Sequence, residues 1–281
     1  MNSFPNFTTN VSLGSESYKI HFIALFSKKP DAIPVALFHG WPGVSPSPWL
    51  VRLPPNLTHH PLGSFLEFLP ILTLMKQRYT PETLPYHLIV PSLPGYVFSD
   101  SPPLNRDFTT KDIAALMNQL LLDLGFGDGY IAQGGDIGSR VAKILGATSD
   151  SCKAVHVNFF PVLLPPSGLS VDSLTEREKV GLARGEDFKK MGSAYSLEHA
   201  TRPATIGMAL DSSPLALLAW IGEKFLSWSD ESPNLETILE SVSLYWFTES
   251  MGRGVFPYRG VSFQLSHSPF LSSLISSTQI P

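Results

Sequence analysis

Cysteine, charge and long apolar runs are all scarce in this sequence. Its 281 residues include a single cysteine, Cys152, which excludes an intrachain disulfide and a zinc site built from several thiolates. Charged residues make up 16% of the chain, against roughly 25% in typical soluble domains, and no basic run is interleaved with aromatic residues. With a net charge of −4, this pattern argues against nucleic-acid binding.

The apolar stretches are too short to predict a membrane span. Stretches such as residues 215–221 fall far short of the roughly 20 apolar residues that cross a bilayer. Residues 1–6 contain no basic segment followed by an apolar run, so they predict no signal peptide. From these two absences we expect a cytoplasmic protein.

Strands and helices alternate over the first part of the chain. Runs rich in β-branched and aromatic residues predict strands at 18–26, 33–38, 87–90, 130–133 and 153–158. Apolar residues at helical spacing predict helices at 65–78, 111–124 and 138–147, the second capped by Thr109 or Thr110. This alternation predicts an α/β fold with a doubly wound, mostly parallel sheet.

A different pattern follows Pro161. Helical segments are predicted near 172–190, 204–210, 214–228 and 234–250, with no convincing strand between them. We therefore predict an α/β core over residues 1–161, a helical lid over 162–259 and a serine-rich tail over 260–281.

A glycine-rich segment, GGDIGS at residues 134–139, lies between a predicted strand and a predicted helix. Small residues two before and two after Asp136 allow a strand to turn sharply into a helix, which exposes the central side chain at the carboxyl edge of the sheet. This is the geometry of a nucleophile elbow, whose carboxylate can attack an electrophilic carbon and form an alkyl ester. An Asp that merely caps a helix is the alternative interpretation.

A second glycine-rich segment, HGWPG at residues 39–43, directly follows the strand predicted at 33–38. Beside a nucleophile elbow, such a loop supplies one backbone N–H to the oxyanion hole, so we expect Trp41 and Ile137 to be the two donors. The residues expected to support the two segments are His39, Gly40, Pro42, Gly134 and Gly138. Taken alone, HGWPG could also be a plain Gly-Pro turn.

Together with PSLPGY at residues 91–96, these motifs resemble the microsomal-type epoxide hydrolases, above all their fungal members, a branch of the α/β-hydrolase superfamily. The lid region is similar to theirs at SAY (193–195), HATRP (199–203), WIGEK (220–224) and YWFTE (245–249). With residues 44–63 and 261–281 set aside, the resemblance covers residues 1–259. It implies an α/β-hydrolase fold with a helical lid, and neither a metal nor an organic cofactor.

The resemblance also implies a two-step reaction on an epoxide. Asp136 opens the epoxide by backside attack, and two lid tyrosines, Tyr195 and Tyr258 by position, donate hydrogen bonds to the epoxide oxygen. A phenol suits this role because its ordinary pKa of about 10 keeps it protonated until the alkoxide forms. Tyr245 is a further candidate, ranked lower because residues 244–246 predict a packed helical face.

The second step needs a histidine base, oriented by an acid, to activate water against the ester. The family places both residues beyond the second lid tyrosine, where this sequence has only His267, nine residues after Tyr258, and no acid. Nine residues leave no room for the closing strands and helices, so we expect His267 not to be the base. The base and the acid are therefore not found among the sequence motifs.

Residues 44–63 and 261–281 depart from the family pattern. The first stretch holds five prolines and one charged residue, and the second holds seven serines and none. Both start with Val-Ser after a glycine, and a Gly-Val junction can encode a splice donor. We hypothesise that both are translated introns. Because its leading segment is also short, we expect the chain to be truncated at both ends relative to the family. The loss of the closing strands of the sheet predicts an exposed apolar sheet edge and low solubility.

We therefore expect an epoxide hydrolase by ancestry, which takes a small apolar epoxide and water and undergoes at most stoichiometric alkylation of Asp136. A catalytically incomplete remnant or a binding protein is the alternative from another class. A haloalkane dehalogenase also uses an Asp nucleophile, but it needs no tyrosine pair and commonly has Trp where Ile137 stands. The identity of the epoxide, a role in detoxification or in secondary metabolism, and a monomer or a homodimer all stay open.

Overall fold

A mixed sheet of six strands runs through the first half of the chain. The computed structural model describes residues 3–42, 63–160, 171–229 and 231–260. The strands are β1 (Asn6–Leu13), β2 (Glu16–Leu25), β3 (Ile33–Phe38), β4 (Tyr86–Pro91), β5 (Tyr130–Gly134) and β6 (Cys152–Val157). Their order is β1-β2-β4-β3-β5-β6, in which β4, β3, β5 and β6 are parallel, whereas β1 and β2 pair antiparallel, as do β2 and β4. The predicted α/β class with a mostly parallel sheet is confirmed.

The sequence patterns do not predict β1. Its residues are mostly polar and only Val11 is buried, so no apolar alternation marks it as a strand. It forms because it pairs with β2 along its whole length, from Asn6 opposite Ile23 to Leu13 opposite Glu16. Gly14, at a φ of +61°, makes the tight turn between the two strands.

Three helices accompany the sheet. They are α1 (Leu69–Arg78), which follows a 3₁₀ turn at Phe65–Phe68, α2 (Thr110–Asp123) and α3 (Asp136–Thr148). Thr109 and Asp112 form a capping box at the start of α2, which decides between the two predicted caps. α3 packs on β3, β5 and β6, and it begins two residues before the predicted start at 138 because Asp136 itself opens the first turn.

The described residues from 171 onward form helices and turns, as predicted. The helices are α4 (Glu176–Asp187), α5 (Ala194–Thr201), α6 (Pro203–Asp211), α7 (Pro214–Trp228), α8 (Leu235–Phe247) and α9 (Met251–Gly254). The segment predicted near 172–190 as helical is not one helix. A short π-helix at Phe188–Gly192 follows α4 directly and leads into α5, which the periodicity does not predict.

Side chains of the last helices tie them to the core. The Arg253 guanidinium donates to the carbonyl oxygens of Val97 and Ser99, each at 3.0 Å, in the turn after β4. The Tyr245 hydroxyl donates to the Gly63 carbonyl at 2.5 Å, just before the 3₁₀ turn. These contacts hold the helical layer over the carboxyl edge of the parallel strands, where ligands bind in open α/β sheets.

Several predictions fall outside the described residues. His267 and residues 261–281 lie there, as do residues 44–62 of the proline-rich stretch, so the domain boundaries and the intron hypothesis stay predictions. Within the described part of the chain, no single helix is long and apolar enough to span a membrane. Helices α6 and α7 reach that length and composition only as a pair, bent by 116°.

Candidate active site

A sharp turn joins β5 to α3 and carries Asp136. Asp136 has a φ of +45°, in the left-handed region that Asp tolerates better than most residues. A Cβ on Gly134 would lie 2.1 Å from the Gly138 carbonyl oxygen, and a Cβ on Gly138 would lie 2.0 Å from the Phe38 carbonyl oxygen. Because both obstacles are backbone atoms, the turn requires glycine at these two positions, which is the physical basis of the GGDIGS pattern.

The Asp136 carboxylate is held by two backbone amides. The Trp41 N–H donates to Oδ2 at 3.0 Å, and the Ile137 N–H also bonds the carboxylate. Burial raises the pKa of Asp136 above its ordinary value, against the opposing effects of the Trp41 amide, the Arg140 charge and the Ile137 amide. The two N–H groups predicted as oxyanion donors therefore both contact the Asp136 carboxylate.

Hydrogen bonds from His39 stabilise the HGWPG loop. The His39 Nε2 accepts a hydrogen bond from the Leu93 N–H at 3.0 Å, so Nδ1 carries the proton and donates to the Gly40 carbonyl at 3.0 Å. Burial lowers the pKa of His39 to about 4, which keeps the ring neutral. A Cβ on Gly40 would lie 2.6 Å from the Asp136 Cβ, so glycine lets this loop approach the carboxylate.

Glu67 is a neighbour of this loop that the sequence patterns do not reveal. Its carboxyl group accepts a hydrogen bond from the Gly40 N–H, and burial followed by the Asp136 charge raises its pKa well above the ordinary value. Glu67 lies in the 3₁₀ turn before α1, and its spacing from other polar residues gives no sign of this contact. The loop thus lies between an ionisable nucleophile and a second carboxyl group that favours its neutral form.

Tyr195 and Tyr258 lie together in front of Asp136. Their side chains share a hydrogen bond, and their ring centroids are 6.1 Å apart. Burial, followed by the negative charge of Asp136, raises the pKa of both hydroxyls above the ordinary tyrosine value. The Trp41 ring stacks on Tyr195 at 5.6 Å, which places the pair against the HGWPG loop. The structure therefore brings both predicted tyrosines to the predicted nucleophile.

Tyr245 is buried beside this group, but its hydroxyl is already used. It donates to the Gly63 carbonyl at 2.5 Å, and its ring contacts Tyr96 edge-on at 6.4 Å. A hydroxyl held by a backbone carbonyl has no second proton to donate to a substrate oxygen. This contact agrees with the lower rank that the sequence pattern assigns to Tyr245.

The buried histidines of the described residues have partners other than a catalytic acid. His21 contacts the Ser92 hydroxyl at 2.8 Å and the Asn6 side chain at 2.9 Å, and burial lowers its pKa to about 4. His199, in α5, accepts a hydrogen bond from the Trp220 indole at 3.1 Å. A histidine base and its acid therefore stay unassigned in the part of the chain that the structure describes.

Two family models match the core of the chain. One is described as "Epoxide hydrolase N terminus" and matches residues 1–46. The other is described as "alpha/beta hydrolase fold" and matches residues 33–158, which contain the HGWPG loop and Asp136.

Full-length relatives and solved structures extend the likeness through the helical layer. A curated protein of Dothistroma septosporum is 48% identical over 262 residues, which are 92% of this chain and 57% of the relative. "Epoxide hydrolase 1" of Oryctolagus cuniculus is 30% identical over 283 residues, with 89% and 57% covered. The solved Aspergillus niger epoxide hydrolase matches at 53% identity and a TM-score of 0.82, with 95% of this chain and 63% of that chain covered. The chain thus spans less than two thirds of the length of these relatives.

Proposed function

Because the chain belongs to the epoxide hydrolase family within the α/β-hydrolase fold, we propose that it opens a small apolar epoxide by forming an ester on Asp136. The observation that carries this proposal is the position of the hydrogen-bonded Tyr195–Tyr258 pair in front of the Asp136 carboxylate. A nucleophile on one side and two phenol donors on the other are the groups that epoxide opening needs. No metal or organic cofactor enters the proposal, since water is the only co-substrate.

In the first step an Asp136 carboxylate oxygen forms a bond to an epoxide carbon. The carbon–oxygen bond of that carbon breaks, and its electron pair goes to the epoxide oxygen. Tyr195 and Tyr258 donate hydrogen bonds to this oxygen, and one of them transfers its proton as the alkoxide forms, leaving a phenolate that regains a proton from solvent. Raised phenol pKa values keep both groups protonated until that moment. The product is a hydroxyalkyl ester of Asp136.

In the second step water attacks the ester carbonyl carbon of Asp136. The Trp41 and Ile137 amides then stabilise the negative oxygen of the tetrahedral intermediate, and the diol leaves with the regenerated carboxylate. This step needs a base to take the proton of water, and no base is assigned among the residues that the structure describes. We therefore propose that the ester accumulates and that each chain reacts once.

The test is incubation with an aryl epoxide, followed by intact mass and peptide mapping. We expect one epoxide mass per chain on the peptide that bears Asp136, and none in Asp136→Asn, because an amide is a poor nucleophile. Tyr258→Phe should slow labelling by about 10²-fold or more, since general acid assistance contributes about 10²–10⁴-fold. Tyr86→Phe, at a surface position on β4, is the matched control and should label like the unmodified chain.

Three other results would contradict parts of this proposal. Release of more than one equivalent of diol per chain would contradict the stalled second step and would point to an unassigned base. No added mass would favour a remnant or a binding protein. Labelling by a haloalkane but not by the epoxide would favour the dehalogenase alternative.

The choice of partners and the location of the protein rest on the sequence. A small apolar epoxide and water are the proposed reactants, supported by the family and by the aromatic surroundings of Asp136. The cytoplasmic location and the division into core, lid and tail stay predictions, and the choice between a monomer and a homodimer stays open.

A further inference from the structure

Two buried ring N–H groups beside the tyrosine pair have no hydrogen-bond acceptor among the described residues. Trp41 and His199 are 1% and 0% exposed. Neither the Trp41 Nε1 nor the His199 Nδ1 atom has a hydrogen-bond partner among the described residues. A buried polar group without a partner destabilises a folded protein, so these two donors call for an explanation.

The state of His199 follows from its contacts. The Trp220 Nε1–H donates to the His199 Nε2 at 3.1 Å, so Nε2 carries a lone pair rather than a proton. Burial, followed by the positive charge of Lys224, lowers the pKa of His199 to about 3, which keeps the ring neutral. A neutral imidazole that is unprotonated at Nε2 carries its proton on Nδ1. The unpartnered Nδ1 is therefore a hydrogen-bond donor, as the Trp41 indole is.

Both donors border the reacting groups. The His199 ring contacts the Trp41 ring at 4.6 Å between centroids, the Tyr258 ring at 4.9 Å and the Tyr195 ring at 5.5 Å. All three contacts are edge-on, with interplanar angles of 73–84°. Trp41 and His199 thus join the tyrosine pair in one aromatic cluster, so the rings that carry the two unpartnered donors lie next to the groups proposed to bind the epoxide.

We propose that the Trp41 Nε1–H and the His199 Nδ1–H form an oxygen-binding subsite for the substituent of the epoxide. Two donors without an acceptor select a ligand acceptor, such as an ether, carbonyl or hydroxyl oxygen near the epoxide ring. A neutral oxygen fits better than an anion, because the Asp136 carboxylate lies close by and the nearby Lys224 ammonium already pairs with Glu223 at 2.7 Å. The subsite rests on the proposed function and narrows its substrate class to epoxides with an oxygen-bearing substituent.

The test compares two epoxides of the same shape. Butyl glycidyl ether and 1,2-epoxyoctane differ only in one ether oxygen, which is a CH₂ group in the second. The readout is the ratio of their rate constants for alkylation of Asp136, followed by intact mass. We expect His199→Phe, which keeps a planar ring and removes the donor, to lower this ratio about five- to tenfold, the size of one lost hydrogen bond. Intrinsic differences in reactivity cancel when variants are compared.

Two further variants separate hydrogen bonding from packing. His199→Gln should restore most of the ratio, because an amide oxygen can accept from Trp220 while the amide N–H₂ donates. His156→Phe, the same substitution at an exposed position on β6, should leave the ratio as it is. A role in packing alone would slow both epoxides equally in His199→Phe and would leave the ratio unchanged.

The outcomes distinguish this subsite from the function on which it rests. Labelling of Asp136 with the same ratio in His199→Phe and in the unmodified chain would overturn the subsite and leave the function standing. Labelling by neither epoxide in the unmodified chain would overturn both. If His199→Phe does not fold, its melting curve will show it, and Trp220→Phe then serves as the second variant. Trp220 holds the His199 proton on Nδ1, so a ratio of alkylation rate constants in Trp220→Phe equal to that of the unmodified chain would overturn the subsite.

Discussion

Asp136 combines two unfavourable features at one position. Its backbone lies in the left-handed region and its carboxylate is partly withdrawn from water, which raises its pKa. Two amide hydrogen bonds and the start of α3 stabilise the charge without fully offsetting burial. Local departures of this kind persist where the surrounding structure enforces them, and they concentrate at functional sites.

Because burial outweighs the interactions that stabilise the Asp136 charge, we predict that Asp136→Asn is more stable than the unmodified chain at neutral pH. The pKa of the Asp136 carboxyl group is higher in the folded state than in the unfolded state, where it is about 3.9. The stability that this group contributes is therefore fully present below a pH of about 3.9 and is lost as the pH rises through the folded-state pKa. Asn mimics the neutral form at every pH. We expect a Tm higher by about 2–4 °C at pH 7, the shift that about 1 kcal/mol produces in a chain of this size.

Thermal melts as a function of pH check this prediction. The advantage of Asp136→Asn should disappear at a pH below about 3.9, where both side chains are neutral. Asp128→Asn, at an exposed position, is the matched control and should leave the Tm unchanged. A lower Tm for Asp136→Asn at pH 7 would mean that the carboxylate stabilises the fold.

The β5–α3 turn shows at the level of elements why the sequence motif is so recognisable. Gly134 and Gly138 place α3 against the ends of β3 and β5 at distances that leave no room for a Cβ. The close approach brings the Asp136 carboxylate within hydrogen-bond distance of the Trp41 amide after β3. The glycine pattern of the GGDIGS motif therefore reflects the steric requirement of the turn between β5 and α3.

A glycine-to-alanine pair tests this requirement. In Gly138→Ala the new Cβ would lie 2.0 Å from the Phe38 carbonyl oxygen, so the backbone of β3 or α3 must shift. We expect a loss of about 2–3 kcal/mol in the free energy of unfolding, typical of overpacking, and loss of Asp136 labelling. Denaturant melts give the first quantity and intact mass gives the second.

Gly181→Ala is the matched control for this substitution. Gly181 lies in α4, where a Cβ would meet nothing within 4 Å. There alanine should stabilise by about 0.5–1 kcal/mol through helix propensity. Equal effects of the two substitutions would show that the approach at Gly138 is not tight.

In the helical layer, hydrophobic periodicity does not predict every boundary between helices. The apolar spacing predicts helices over most of the layer, but it does not separate α4, the π-helix at Phe188–Gly192 and α5. A π-helix changes the hydrogen-bond spacing without changing the kinds of residues that form it. Tyr195 follows directly after this irregular segment, so its place in the tyrosine pair depends on a feature that the sequence pattern does not show.

At the scale of the whole molecule, the β6 edge of the sheet carries exposed apolar side chains among the described residues. Within the described residues β6 pairs only with β5, and four of its six residues are exposed. Val155 is 45% exposed and Phe160, just after the strand, is 64% exposed. An exposed strand edge with apolar neighbours favours pairing between chains, so we predict that the chain tends to aggregate.

A lysine on this edge should reduce aggregation. Ala154 is exposed on β6, and Ala154→Lys adds a charge that disfavours strand pairing between copies. We expect the soluble fraction after expression to rise by about twofold, measured by centrifugation and size-exclusion chromatography. Ala183→Lys, an equal change on the exposed helix α4, should have a smaller effect. Equal gains from both substitutions would trace the improvement to net charge alone.

The amino-acid sequence by itself determined the α/β class, most of the strands and helices, the elbow at Asp136 and the loop that carries Trp41. These features are local: hydrophobic periodicity defines an element, and a glycine pattern defines a tight turn. The pairing of Tyr195 with Tyr258 was expected only from the resemblance to a family, since no local rule joins residues so far apart.

Only the tertiary structure decided what surrounds these residues. It pairs the polar strand β1 with β2, places the Glu67 carboxyl on the Gly40 amide and commits the Tyr245 hydroxyl to Gly63, and within the described part of the chain it leaves the Trp41 and His199 donors without acceptors. β1 forms because its backbone pairs with the neighbouring strand β2, whereas the other three outcomes depend on atoms from distant segments meeting in a water-poor interior. In such an interior, hydrogen bonding and charge are set by the neighbours that a group finds, and no local sequence pattern identifies those neighbours.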